Sequence, residues 1–485
     1  MNALTYAVRL RAVLKYFGQL CFVLALMTLV PLTVSLLSGD YRVSLRYGLV
    51  IAILFTIGFA AMRLPAPKRL QLNEGIVITA LIFLFTPLVM AWPAMASGLN
   101  FLDAFFETVS AVTTTGLSAT ATVSDKPTSF LFARAWMQWV GGLGIVVLSL
   151  AAMIQPGLVA KRLGEGNQDD YEDDPVGGTR ARARLVLLVY SVLTVVGIVA
   201  LVIAGTDWFE AILYTFAAVS TGSFAPNDAS LGGLPNHTTR GLVIFLSLAG
   251  GVTLLLYQRL FRDGIRAVAA DRQLRGYLLV GFLVTLLLAG TLRLNGHLDW
   301  TQALGHGALN ALSAQSTAGF ASLDMAAIDA GSKLVLMVSM FIGGSVGSTA
   351  GGIKILRLLI LMRILHLLIQ RTGMPRNAVS NPRLGSRRLE NDEIQNALSL
   401  ILVYVVATAV SWAPFVLMGH PPFDALFEVI SALSTAGLSA GITGPDLHPF
   451  LKAVLCADML LGRLEIMAWL ILLAPGTWFA KRLEE

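Results

Sequence analysis

Phe106-Glu-Thr-Val-Ser-Ala-Val-Thr-Thr-Thr-Gly-Leu117 is one of four versions of a single pattern in this chain. The others are Leu213-Tyr-Thr-Phe-Ala-Ala-Val-Ser-Thr-Gly-Ser-Phe224, Leu309-Asn-Ala-Leu-Ser-Ala-Gln-Ser-Thr-Ala-Gly-Phe320 and Phe427-Glu-Val-Ile-Ser-Ala-Leu-Ser-Thr-Ala-Gly-Leu438. They align without a gap. An Ala column (Ala111, Ala218, Ala314, Ala432) is followed two places on by Thr or Ser (Thr113, Ser220, Ser316, Ser434) and then by an invariant Thr (Thr114, Thr221, Thr317, Thr435). A small residue comes next (Thr115, Gly222, Ala318, Ala436), then Gly116, Ser223, Gly319 and Gly437. One such tetrapeptide carries no information, but four gapless copies in one chain mark an internal repeat.

The surrounding composition sets the solvent. The 485 residues are 56% hydrophobic and 13% charged, with a mean hydropathy of +0.73. Soluble domains carry about 25% charged residues, so an integral membrane protein is expected. Apolar runs near 18–38, 46–62, 74–93, 130–155, 183–205, 239–258, 276–292, 334–369, 396–418 and 450–480 predict ten transmembrane helices. Each can cross a hydrocarbon core of about 30 Å, which takes roughly 20 helical residues. Period-two alternation is missing, which excludes a strand barrel. The first run lacks a small-residue cleavage site and is expected to be a retained helix rather than a signal peptide.

Ten crossings put both termini on one face. Segments 1–16, 63–73, 156–184, 259–275, 354–393 and 481–485 hold 26 of the 35 Lys and Arg, so the positive-inside rule predicts cytoplasmic termini. The opposite face carries more acids than bases, which either concentrates cations or reflects ordinary solvated loops. A net charge of +6 on such a chain needs no nucleic-acid partner; the expected surroundings are a lipid bilayer.

Each repeated string falls on the outer side, after an apolar stretch too short to span, and so predicts a re-entrant helix and loop. Non-helical backbone at membrane depth is tolerated only when buried in protein or lining a wet cavity. The expected fold is all-α: a two-helix hairpin (1–70), then four span–re-entrant loop–span units at 71–160, 180–270, 272–372 and 390–485. Four equivalent loops around a pseudo-fourfold axis could stack rings of carbonyls that replace a cation's water shell. Packed re-entrant connectors, as in secondary transporters, are the alternative.

Gly343-Gly-Ser-Val-Gly-Ser-Thr-Ala-Gly-Gly352 interrupts the eighth run. Each glycine costs about 1 kcal/mol in a helix, so Gly343, Gly344, Gly347, Gly351 and Gly352, with Ser348 and Thr349, predict an unwound segment below the third loop. It is either a gate or a packing kink. It is no phosphate loop, because Ile353 stands where that motif requires Lys. Arg463 lies within the last run, where a charge faces a cavity or a partner; Asp458 and Glu465 are candidate ion-pair partners. The six histidines are scattered without metal-ligand spacing and no nucleophile triad is recognisable, so no enzyme activity is expected.

On these strings, together with Gln138-Trp-Val-Gly-Gly-Leu-Gly144, the 343–352 segment and Leu460-Leu-Gly-Arg-Leu-Glu465, the chain resembles the Trk/Ktr/HKT superfamily of potassium transporters. Within it, the TrkH family of bacterial Trk membrane subunits is most similar. The resemblance implies channel-like potassium uptake across the bacterial inner membrane, with potassium bound by the sixteen residues of the last four columns above. It also implies a gate formed by the glycine segment and Arg463, homodimers, and a TrkA-like cytosolic subunit with nucleotide-binding domains. Ser223 departs from the family's glycine. Either Gly222 takes over the strained position or one ring is asymmetric; in the superfamily, Ser in this column goes with weaker exclusion of sodium. A proton- or sodium-coupled symporter is the alternative mechanism. The stretches 161–184 and 371–393 are either docking surfaces for that subunit or solvated linkers.

Overall fold

A computed structural model describes residues 7–65, 70–153, 175–295, 298–373, 375, 382–384 and 387–479. The framework is helical. α1 (Leu10–Leu37) and α2 (Tyr41–Met62) form a hairpin turned at Gly39, whose φ is 75°. Ser35 and Ser44 share a buried hydrogen bond of 2.9 Å across that turn.

Four three-helix groups follow. The first is α3 (Leu72–Ala94), α4 (Phe101–Val112) and α5 (Thr128–Met153); the second is α6 (Pro175–Ile203), α7 (Trp208–Val219) and α8 (His237–Gly250). After α9 (Leu255–Ala269) come α10 (Arg272–Asn295), α11 (Trp300–Gln315) and α12 (Ala330–Phe341), continued past a loop by α13 (Ile355–Thr372). The last group is α14 (Asn391–Leu417), α15 (Pro422–Leu433) and α16 (Pro449–Arg463), trailed by α17 (Met467–Leu473) and α18 (Pro475–Phe479). Between α13 and α14, Arg383–Leu384 pairs antiparallel with Arg387–Arg388.

The middle helix of each group is short because its sequence starts it late and stops it early. Asn100, Asp207 and Asp299 cap α4, α7 and α11 by accepting backbone N–H bonds of 2.9 Å, and Pro422 opens α15. At 1.5 Å per residue, the 12-residue α4, α7 and α15 span about 18 Å, which cannot cross a bilayer.

Among the described residues, seven helices are long and apolar enough to span, and α8 with α9, bent by 95°, makes an eighth if the pair is one span. Three of the ten expected spans are thus broken. The run 239–258 turns between Gly250 and Leu255, the run 334–369 is parted by the glycine loop, and the run 450–480 breaks after Arg463, where Glu465 and Ile466 take φ of 55° and 34°. Hydropathy cannot register such breaks, because the residues on both sides remain apolar. Leu26, Phe55, Val195, Phe282 and Leu402 are more than half exposed, an apolar surface that requires lipid as solvent.

The groups close on themselves. α5 packs on α7, α8 on α11, α12 on α15, and α16 returns to α4. Two of these junctions carry ion pairs: Lys333 Nζ to the half-buried Asp424 at 2.8 Å, and Lys452 Nζ to Asp103 at 2.5 Å, both buried.

Candidate functional site: four Thr-capped helix ends above a glycine loop

All four short helices end in the same way. The Thr or Ser cap (Thr113, Ser220, Ser316, Ser434) is right-handed, and the next residue, the invariant Thr, swings to φ of 54°, 54°, 52° and 51°. Two backbone bonds close each end. Thr114 N–H donates to Ala111 and Thr115 N–H to Ser110; Thr221 and Gly222, Thr317 and Ala318, Thr435 and Ala436 repeat both bonds. This is a Schellman termination, which normally uses Gly at the left-handed position. A β-branched residue there is a genuine outlier, costing about 1–3 kcal/mol each and held only by its surroundings.

The cap hydroxyls fold back onto their own helices, donating at 2.7–2.9 Å to the carbonyls of Val109, Phe216, Leu312 and Ile430. The invariant Thr hydroxyls do not share one role. Thr221 Oγ1 bonds its neighbour's carbonyl and Thr317 Oγ1 accepts from Gly351 N–H at 2.7 Å. Thr114 Oγ1 and Thr435 Oγ1 are buried with no protein partner among the described residues, which leaves them open to a water or an ion.

The four strings meet. Ser223 Oγ donates to the Thr115 carbonyl at 3.0 Å. A Cβ at Gly116 would collide with Ser223, one at Gly319 with Ser223 and the Ala436 carbonyl, and one at Gly437 with the Thr115 carbonyl and Ser223. First therefore touches second, second third, third fourth, and fourth first. Gly116, Gly319 and Gly437 adopt φ of 89°, 67° and 83°, whereas neither Gly222 nor Ser223 has positive φ. Gly222 does not take over the strained position; the second string departs from the others, and Ser223 fills space that three glycines leave open. The donors gathered here are carbonyl and hydroxyl oxygens, the set that suits a hard cation shedding water.

Behind the strings, one polar residue on each short helix ties down the outgoing loop. Glu107 accepts from Ala119 N–H at 2.8 Å, Glu428 from Ala440 N–H at 2.9 Å, Asn310 from Ser322 N–H at 2.9 Å, and Tyr214 donates to the Ser230 carbonyl at 2.8 Å. Arg134 joins the first two strings, 3.2 Å from Glu107 and 3.6 Å above the Phe224 ring. The sequence aligns these four positions but gives no hint of their common task, because Glu, Tyr and Asn share no chemistry beyond a hydrogen bond.

The glycine segment lies against all of this. Gly343 N–H bonds Ile353, and Ser345 and Thr349 N–H bond Gly251 and Gly250 of the second group. Thr349 Oγ1 reaches the Val219 carbonyl at 3.1 Å. A Cβ at Gly351 would strike the Ser434 carbonyl and Thr435 Oγ1; one at Gly344 would strike the Gly251 carbonyl; Gly347 and Gly352 take φ of 76° and 64°. Ser348 is buried, its hydroxyl on the Ser345 carbonyl at 2.7 Å.

Arg463 completes the contact with the first group. It is 3% exposed, donating to the Thr349 carbonyl at 2.7 Å and the Gly141 carbonyl at 3.4 Å. Neither candidate acid pairs with it: Glu465 binds Arg357 at 2.5 Å, and Asp458 accepts from Ser411 at 2.5 Å. Gly141, Gly250 and Gly462 each abut the last carbonyl of their group's short helix, at Val112, Val219 and Leu433. Each glycine follows the residue it abuts by 29 to 31 positions, a recurrence in the sequence that marks these helix crossings. Of the two candidate docking stretches, residues 161–174 of the first and 374, 376–381 and 385–386 of the second lie outside the described residues.

The sequence profile of the TrkH family, described as cation transport protein, matches residues 48–478. The Trk system potassium uptake protein TrkH of Escherichia coli K12 is 31% identical over 429 residues, covering 84% of this chain and 87% of that protein. TrkI of Halomonas elongata, also named a Trk system potassium uptake protein, is 30% identical over 487 residues, 96% of both chains. The crystal structure of the potassium transporter TrkH from Vibrio parahaemolyticus superposes with a TM-score of 0.86 at 26% identity, covering 97% of this chain and all of that one.

Proposed function

Since the chain belongs to the TrkH family of cation transport proteins, we propose that it takes up potassium through a pore on the axis where the four strings meet. The carrying observation is the closed circuit of contacts among Thr115, Ser223, Gly319, Ala436 and Gly437, which brings backbone oxygens of successive repeats to one place. Potassium loses its water there and is held by carbonyls and by the unpartnered Thr114 and Thr435 hydroxyls. The membrane potential supplies the drive, about 2.3 kcal/mol per charge per 100 mV.

Below the strings, the 343–352 loop and Arg463 form the gate. The loop spends its polar groups on the second, third and fourth groups, and Arg463 links it to the first, so in this state the path is closed by hydrogen-bonded backbone and a fixed positive charge. α13 begins two residues after Ile353, so a displacement of its far end pulls on the loop directly. A TrkA-like cytosolic subunit acting on α13 and the 371–393 segment would open the gate. The assembly is a homodimer in the bacterial inner membrane with cytoplasmic termini, each chain holding its own pore through ten crossings, three of them broken.

Ser223 makes one ring of the filter asymmetric and sets its hydroxyl on the Thr115 carbonyl, so sodium passes along with potassium. The deciding experiment is rubidium and sodium flux, measured separately, into liposomes holding the purified protein. Rubidium entry driven by an imposed potential supports the reading; electrically silent entry that requires a proton or sodium gradient replaces it with the coupled symporter.

A further inference from the structure

The carboxyl of Asp458 has no place in the pore just described. It sits in the middle of α16, fully buried. Its one hydrogen bond comes from Ser411 of α14, to Oδ1 at 2.5 Å, and Oδ2 has no partner at all. Tyr404 of α14, two turns from Ser411 and so on the same helix face, is also buried, and both Ser434 and the Asp458 charge lie within electrostatic reach of its hydroxyl. A carboxyl oxygen with no partner inside a span is a costly arrangement. A buried carboxylate with one hydrogen bond and no counter-charge does not persist alone.

The neighbouring charges do not compensate it. On α16, Lys452 is committed to Asp103 of α4, and Arg463 to two carbonyls; Cys456 is the remaining titratable group on that helix in reach. On α15, Asp424 pairs with Lys333, and Glu428 is held by Ser439, Ala440 and Thr443. On α4, Glu107 is paired with Arg134. Glu390, Asp392, Glu393 and His420 lie at or beyond the ends of α14, away from its middle; on α13, which also packs on α14, Arg357 pairs with Glu465, and Arg363, His366 and Arg371 are the other charged or titratable groups.

We propose that Asp458, Tyr404 and Ser411 form a binding site for one small cation, a proton or a sodium ion, set between α14 and α16 beside the conduction path, and that its occupancy tunes flux. The route to the gate is short. Gly462, one turn below Asp458 on α16, abuts the Leu433 carbonyl of the fourth string's helix, and Arg463 follows it. Losing the cation uncovers a negative charge about 7–8 Å along the helix from Arg463, which draws the guanidinium away from the loop. This inference rests on the transport reading for its consequence but not for its binding step.

The test uses the full chain, wild type, Asp458→Asn and Tyr404→Phe. Rubidium flux into liposomes is measured against pH without sodium, and against sodium at fixed pH with choline as the replacement ion. The wild type should show a severalfold dependence on one of the two, which Asp458→Asn abolishes while still conducting and Tyr404→Phe shifts along the concentration axis. In parallel, the infrared carboxylic-acid band (proton arm) and the sodium-dependent rise in melting temperature (sodium arm) are compared; Asp458→Asn should lose the one matching its flux arm. Unchanged pH and sodium responses in Asp458→Asn overturn the proposal, as does an unchanged band together with an unchanged melting shift if that variant does not conduct. A wild type that carries no rubidium removes the transport reading, while the band and the melting shift still report the site.

Discussion

Arg463 Nη1 lies 2.7 Å from the carbonyl oxygen of Thr349, 114 residues away in sequence. The bond ties the end of α16 to the middle of the glycine loop and leaves the Arg463 Nε without a partner. A buried guanidinium without a carboxylate is an expensive way to hold a loop, and that cost motivates the proposed gate.

Replacing Arg463 with Ala should therefore raise rubidium flux severalfold in liposomes while the protein keeps its melting temperature. Lys keeps the charge but lacks the planar fork of Arg, so Arg463→Lys should fall between. Unchanged or lower flux in a folded Ala variant would remove Arg463 from the gate.

Thr317→Val tests the proposed gate at the loop's contact with the third string. It strips the acceptor from Gly351 N–H, and a buried N–H left unmade costs about 1–3 kcal/mol. The closed loop loses that stabilisation, so flux should increase. Deleting the 343–352 segment should increase it further. Flux equal to wild type in both would mean that the loop is a packing element.

Ser223→Gly should make the four strings alike and free the Thr115 carbonyl. The ratio of rubidium to sodium flux is expected to rise. A wild type that already excludes sodium, or a ratio unmoved by the change, would deny Ser223 a part in selectivity.

The Lys452–Asp103 pair, buried between α16 and α4, closes the circuit of groups. Lys452→Met alone leaves an unpaired buried carboxylate and should destabilise by about 3–5 kcal/mol. Lys452→Met combined with Asp103→Leu should regain most of that loss. Thermal unfolding in detergent reads both, and equal losses in the single and double variants would argue that the pair is not the closing contact.

How far the sequence reached can be judged residue by residue. The four strings, the shortness of the helices before them and the break at 343–352 were legible, since glycines and apolar length act locally. Gly116, Gly319 and Gly437 suit the left-handed backbone they adopt, and the structure adds the invariant Thr two places before each and before Ser223. No local rule puts a β-branched residue there; only packing against neighbouring strings does. The breaks after Gly250 and Arg463 were hidden for a similar reason, because a helix that turns beneath another's last carbonyl does so for a contact far away in the chain.

Composition and repetition alone determined that this is a lipid-embedded chain of four related units, because hydrophobicity and period are properties of neighbours in sequence. Tertiary structure decided which oxygens face one another: that Ser223 fills the space beside three glycines, that Gly351 caps Thr317, that Arg463 ends on a carbonyl and Asp458 on almost nothing. Such pairings join residues about thirty to over three hundred positions apart. Their energies depend on distances of a few ångströms, which only the closed ring of helices sets.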